Sequence, residues 1–149
     1  MTIPASTVPL AIGYLFDNIK TTIGDPAVRV SYGPPPPGAT GDMIVIEGVT
    51  REPVVARMRG SGGAGWIDEI YTIELNCWVF RGGDNGQPVY ERAAALADVV
   101  ESVVRTDPSL GGAVVVAAPS AVEYISTLDE EHRGILVEAR VSIRCRATI

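Results

Sequence analysis

The sequence predicts an α+β fold: a mostly antiparallel twisted sheet with two helices packed on one face and a projecting β-hairpin. Three observations carry this. Apolar residues recur at spacings of three and four over 6–23 and again over 88–105, the period of an amphipathic helix. They recur at every second position over 71–79 and 135–147, the period of a strand with one buried face. Glycine- and proline-rich stretches punctuate the chain between these segments.

The helix over 6–23 presents Val8, Ile12, Leu15, Phe16, Ile19 and Ile23 as one stripe. Ser6 or Thr7 can cap its start, Pro9 is tolerated in the first turn, and Gly24 followed by Asp25-Pro26 stops it. Asp17, Asn18, Lys20 and Thr21 fall on the opposite side, toward solvent or a partner. Ala27 to Tyr32 reads as a short strand, ended by Gly33 and the four prolines Pro34 to Pro37, a stiff polyproline-like loop. Met43 to Val49 and Pro53 to Arg59 read as two further strands, the second with Val54, Ala56 and Met58 on one face and Arg57 and Arg59 on the other. Gly60 to Gly65 leads into Trp66 and a strand rather than into a Gly-Lys-Ser/Thr helix start, so it reads as a mobile hairpin tip and not a phosphate cradle.

Over 66–81, Tyr71, Ile73, Leu75, Cys77 and Val79 alternate with Thr72, Glu74, Asn76, Trp78 and Phe80. At ~3.3 Å per residue this strand would run roughly 50 Å. A compact chain of this size has a diameter of roughly 40 Å. The strand therefore projects as a hairpin arm or bends within one sheet, and a slip in alternation between Ile67 and Ile70 suggests a bulge near Glu69. After the turn Gly82 to Gly86, the helix over 88–105 carries Val89, Ala93, Leu96, Val100, Val103 and Val104 as its stripe. Asp107-Pro108 ends it. Ala113 to Ala118 reads as a buried strand and Ala121 to Leu128 as another, turning through Asp129 to Gly134. In the last strand, Ile135, Val137, Ala139, Val141, Ile143, Cys145 and Ala147 face the core. Leu136, Glu138, Arg140, Ser142, Arg144 and Arg146 face away. Such alternation belongs to an antiparallel strand whose second face its own domain leaves uncovered.

The 149 residues suit a single domain, 1–149, long enough to bury a core without staples. A hydrophobic share of 46% with 20% charged residues excludes wholesale disorder. No apolar run reaches a membrane span, and the first 23 residues do not read as a signal peptide, so no membrane partner is expected. The formal net charge of −6 opposes non-specific DNA binding, although Arg57, Arg59, Arg140, Arg144 and Arg146 could form a basic stripe on one sheet face. Glu74 and Glu138 share that outward parity, so cross-strand ion pairs or subunit contacts are the expected use of the stripe. Cys77 and Cys145 read as small buried thiols.

His132 is the single histidine, set in an acidic turn after Asp129, Glu130 and Glu131, and that arrangement reads as a solvated turn rather than a metal site. No nucleophile elbow or activated cysteine stands out, and no polar residue is expected on the core parities. No catalytic residue, cofactor or metal is therefore expected.

The segments Tyr71-Thr-Ile-Glu-Leu-Asn-Cys-Trp-Val79, helix 88–105, Asp107-Pro-Ser-Leu-Gly-Gly-Ala-Val114 and Gly134-Ile-Leu-Val-Glu-Ala-Arg-Val-Ser-Ile143, in this order, resemble the tail terminator (tail-completion) proteins of long-tailed bacteriophages. The resemblance covers nearly the whole chain as a pattern of elements. It implies an α+β subunit in a hexameric ring that caps the tail tube, halts its polymerisation and presents a surface for head joining. The implied partners are further copies of the chain, the major tail tube protein and a head-completion or connector protein. DNA would pass through the lumen without specific binding. The implied location is the virion tail, assembled in the host cytoplasm. Subunit contacts are expected through Arg57, Arg59, Trp66, Glu74, Trp78, Arg140 and Arg144, since arginines and aromatics are favoured at interfaces. The alternatives are another head–tail connector or neck protein, and a small-ligand-binding α+β domain with a pocket between helix 88–105 and the sheet.

Overall fold

The helical stripes and the alternating strands assemble as their periods require. A computed structural model describes residues 6–34, 41–57, 66–131 and 133–149, with 53–57 and 66–67 described by their backbone. The element order is α1 (Val8–Ile23), β1 (Arg29–Tyr32), β2 (Met43–Arg57), β3 (Trp66–Gly82), α2 (Gln87–Thr106), β4 (Val116–Asp129) and β5 (Gly134–Thr148). The strands form one open sheet in the order β1-β2-β3-β5-β4, with β1 parallel to β2 and every other pair antiparallel. This is the expected α+β architecture with both helices on one face.

That face holds the core. Tyr71, Ile73, Leu75, Cys77 and Val79 of β3 and Val137, Ala139, Val141, Ile143 and Cys145 of β5 are buried beneath Ala93, Leu96, Val100 and Val104 of α2. Ala11, Leu15 and Ile19 of α1 join the same cluster. Small residues on α2, Ala93 and Ala97, bring its backbone close to the sheet.

Local chemistry sets the boundaries. Gly24 ends α1 in the left-handed region at φ 59°, its N–H donating to Lys20 O, a conformation glycine adopts at little cost. After α2, the Asp107 carboxylate accepts hydrogen bonds from Ser109 N, Ser109 Oγ and Gly111 N, winding 107–112 into a tight turn. Leu110 sits there at φ 49° with its side chain buried, and Gly111 lies so close to the Tyr14 ring that a Cβ would approach to 2.9 Å.

Three expectations are corrected. Met43–Val49 and Pro53–Arg59 are not separate strands: β2 runs continuously from Met43 to Arg57, with register shifts between Ile46 and Gly48 and between Val55 and Arg57. No shift falls on Glu69. The alternation slips there because Glu69 occupies a core parity as a fully buried carboxylate. Ala113–Ala118 is not a buried strand. Residues 113–115 belong to the turn, where Val114 N donates to Ser109 O, and Val115 and Val116 are exposed. Pairing with β5 starts at Val116 opposite Arg146, whose carbonyl also accepts from Val115 N at 2.8 Å, and β4 then continues to Asp129 with a bulge between Pro119 and Ala121. The β2–β3 hairpin is flanked by β5 as far as Asp68, so its purely two-stranded part within the described residues is confined to Val55–Arg57 against Trp66–Ile67. Met58, Arg59, the Gly60–Gly65 tip, Pro35–Pro37 and His132 lie outside the described residues.

At the β4–β5 turn, Gly134 faces Gly82 across the ladder, and a Cβ there would stand 2.4 Å from Phe80 Cζ and 2.5 Å from Arg81 O. The ring can rotate; the backbone carbonyl cannot move without opening the ladder. Gly134→Ala is expected to lower stability by about 2 kcal/mol. Urea unfolding checks this as a lower midpoint at an unchanged m-value.

Candidate functional site

The sheet face opposite the helices carries the residues singled out from sequence. No described helix packs on it. Along β3 it presents Thr72, Glu74, Asn76, Trp78 and Phe80, and along β5 Leu136, Glu138, Arg140, Ser142, Arg144 and Arg146. Its two regions differ. Asn76 and Val45 opposite it are buried, as is Met43, which lies opposite the half-buried Trp78. Across Arg140, Arg144 and Arg146 they are exposed. Glu74 accepts a hydrogen bond from Ser142 Oγ at 2.7 Å, and Arg140 lies 3.4 Å from Glu138 on its own strand. Cross-strand pairing of Glu74 with an arginine gives way to this Glu74–Ser142 bond, because Ser142 is the residue directly opposite. Asn76 Nδ2 donates to Glu47 Oε1, whereas Asn76 Oδ1 and Trp78 Nε1 are buried with no hydrogen-bond partner among the described residues.

Of the residues expected at subunit contacts, Glu74, Trp78, Arg140 and Arg144 therefore share one surface. Arg57 and Trp66 pair by backbone at the far end of the hairpin, and Arg59 lies outside the described residues.

Sequence reasoning missed two clusters of buried polar groups, which break the expectation that no polar residue lies on the core side. Glu69 is fully buried and accepts from Thr7 N at 2.9 Å, Thr7 Oγ1 at 2.7 Å and Arg51 Nε, while Thr7 Oγ1 also meets Tyr71 Oη at 3.0 Å. Thr7 thus caps α1 by position only, its hydroxyl being committed to the sheet. Burial pushes the Glu69 carboxyl up, but the hydrogen bonds from Ser6, Thr7 and Arg51 outweigh it and hold it below the usual carboxylate range. Burial likewise lifts the Tyr71 hydroxyl to about 12.

The second cluster lies at the other end of the sheet. Asp42 accepts from Arg81 Nη1 at 2.7 Å and from Arg92 Nε at 2.8 Å, and Arg92 reaches Asp25 at 3.8 Å. Burial raises the Asp42 carboxyl, and the two guanidinium groups more than reverse this. The only sequence signal for either cluster was a carboxylate interrupting an apolar pattern. Cys77 and Cys145 are buried and free, and burial lifts both thiols to about 12, so neither is a nucleophile at neutral pH.

α2 seats its apolar stripe directly on the sheet. A groove of about 360 Å³ lies elsewhere, at the C-terminal end of α1, lined by Lys20, Ile23, Asp25, Pro26, Val28 and Val30. Among the described residues no group of three or more His, Cys, Asp or Glu could hold a metal ion, and no helix is long and apolar enough to cross a membrane.

No family model and no curated protein matches the chain. Of the solved structures, 26 chains match, one of them from "Virion of native gene transfer agent (GTA) particle", at a TM-score of 0.45 and 11% identity over 93% of this chain and 92% of that one.

The Glu69 cluster makes a pH-dependent prediction. Because the folded carboxyl titrates below its unfolded value of about 4.5, its stabilisation is complete above that value and disappears as the pH falls through the folded one. Glu69→Gln is expected to cost about 2 kcal/mol at pH 7. The gap between wild type and variant should narrow as the medium is acidified below pH 4.5, measured by urea unfolding across a pH series.

Proposed function

We propose that the chain is a structural virion protein whose copies form a hexameric ring that caps a phage tail tube, stops its polymerisation and supplies the head-joining surface. One observation carries the reading. The subunit has a finished core on its helix side, yet its other sheet face carries arginines and a half-buried tryptophan beneath no described helix. A surface built this way suits contact with other protein copies. The resemblance in element order to tail terminator proteins supports the specific role.

In this reading Arg140, Arg144, Glu74 and Trp78 contact a neighbouring subunit, with Arg57, Arg59 and Trp66 contributing from the hairpin. The tube protein and a head-completion or connector protein bind the ring's two ends. The chain's formal net charge of −6 lets DNA slide through the opening, since phosphates are repelled rather than held.

Negative-stain electron microscopy of the purified protein tests the ring: a six-fold annulus with a central hole is expected. Added to polymerising tail tube protein, it should shorten the tubes and sit at one end. Arg140→Glu with Arg144→Glu should abolish the annulus while leaving the far-ultraviolet circular dichroism unchanged. A protein that stays a single chain at high concentration, and leaves tube length unaltered, overturns the proposal.

A further inference from the structure

The two outermost strands of the sheet, β1 and β4, each leave a row of backbone groups unpaired within the described residues. We infer that neighbouring copies join edge to edge, Val122–Ile125 of β4 pairing antiparallel with Arg29–Tyr32 of the next copy's β1, so that the sheets continue across the contact. This rests on the ring reading above and names the surface that closes it.

Strand direction permits the seam. β1 runs with β2, against β3, with β5 and against β4. Copies placed head to tail around a ring keep the same sense, so β4 of one meets β1 of the next antiparallel, like the rest of the sheet.

Height permits it too. Carried across the registers, Arg29 lies level with Met43, Trp78, Glu138 and Ile125, and Tyr32 lies level with Ile46, Leu75, Val141 and Val122. The two edges stand at the same level with no sliding of one copy past another. Ser31 then faces Glu123, and Val30 faces Tyr124.

The side chains are complementary in that register. Arg29 and Glu123 are both exposed and fall on the face away from the helices, two residues apart along the seam. Diagonal neighbours of this kind are ~7–8 Å apart between backbones, within reach of an arginine. On the helix face, Tyr124 is 42% exposed and Tyr32 56%, and Tyr124 already leans on Tyr90 of α2 at 6.3 Å between ring centres. The seam would place both aromatics on one diagonal.

Edge protection falls only where the seam has no partner. The first part of β4 carries Pro119 and a bulge, and β2 beyond its pairing with β1 carries Glu47, Arg51, Glu52 and Pro53. Prolines, bulges and edge charges block strand addition. Between them, Ala121 to Leu128 contains a single charge, Glu123. A two-fold pairing of β4 with itself would set Glu123 near its own copy, an unfavourable contact, and would end at two subunits.

The experiment is a cysteine cross-link in the full chain. Directly opposite antiparallel residues lie about 4.5–5.5 Å apart between Cα atoms, within disulfide range. Native Cys77 and Cys145 are fully buried and do not compete. Under oxidation, Ser31→Cys with Glu123→Cys should give a ladder of covalent multimers on a non-reducing denaturing gel, and neither single variant should. Arg29→Glu should weaken assembly about fivefold, and adding Glu123→Arg should restore it. Assembled particles without the 31–123 cross-link overturn the seam and leave the ring standing. Dimers from Glu123→Cys alone overturn it in favour of two-fold pairing, as does failure of the charge swap to recover assembly. A single-chain mass at high concentration with no cross-link overturns seam and ring together.

Discussion

The ladder between β3 and β5 is the constraint from which the remaining geometry follows. It runs from Asp68 opposite Thr148 to Gly82 opposite Gly134 without a register shift. In an unbroken ladder every side chain's face is set by parity alone, and a slip of one residue would exchange the two faces completely. With Tyr71, Ile73, Leu75, Cys77 and Val79 driven to the helix side, Glu74, Asn76 and Trp78 must point the other way. The irregularities lie outside this ladder: the bulges fall on β2 beyond the residues that β1 pairs, and on the edge strand β4, where twisting a strand disturbs one neighbour rather than two.

Apolar burial alone does not say where along the sheet each helix sits, since the hydrophobic attraction is not directional. Charged hydrogen bonds supply the missing direction. Glu69 ties the first turn of α1, through Thr7, to the hairpin end of β3, and Arg51 of β2 completes the same site. Asp42 ties the start of β2 to the end of β3 through Arg81 and to α2 through Arg92. Each carboxylate gathers donors from separate elements, so removing either would leave several groups unpaired at once. The clusters register helices against strands.

Most of this architecture was legible in the sequence because it rests on periodicity. The stripe from Val89 to Val104 and the alternation from Ile135 to Ala147 are long enough to identify both an element and its buried side. Shorter or interrupted patterns misled. Glu69 looked like a break in the strand because a buried carboxylate is compatible with β pairing only when distant donors meet it, and Thr7 is 62 residues away. The run Ala113 to Ala118 looked buried because apolar composition does not distinguish a central strand from a turn leading into an edge strand. Of the candidate surface, parity placed Glu74, Trp78, Arg140 and Arg144 together. The open edges were invisible, since which strands end up outermost depends on topology rather than on local pattern.

Under the proposed ring, the one-sided core lets the chain be stable before its copies join. Nearly all its large buried side chains lie between helices and sheet, so folding does not need the second face to be covered. That face and the edges are then free to evolve for contact, and they differ in kind. The face offers arginines, whose planar guanidinium groups pair with carboxylates in defined geometry. The edge of β4 offers backbone, which fixes direction and spacing but reads no side chain. A contact using both would take its register from the strands and its selectivity from the charges. The placement of Arg29 and Glu123 on opposite margins of one face, two residues apart in height, is the arrangement such a division requires.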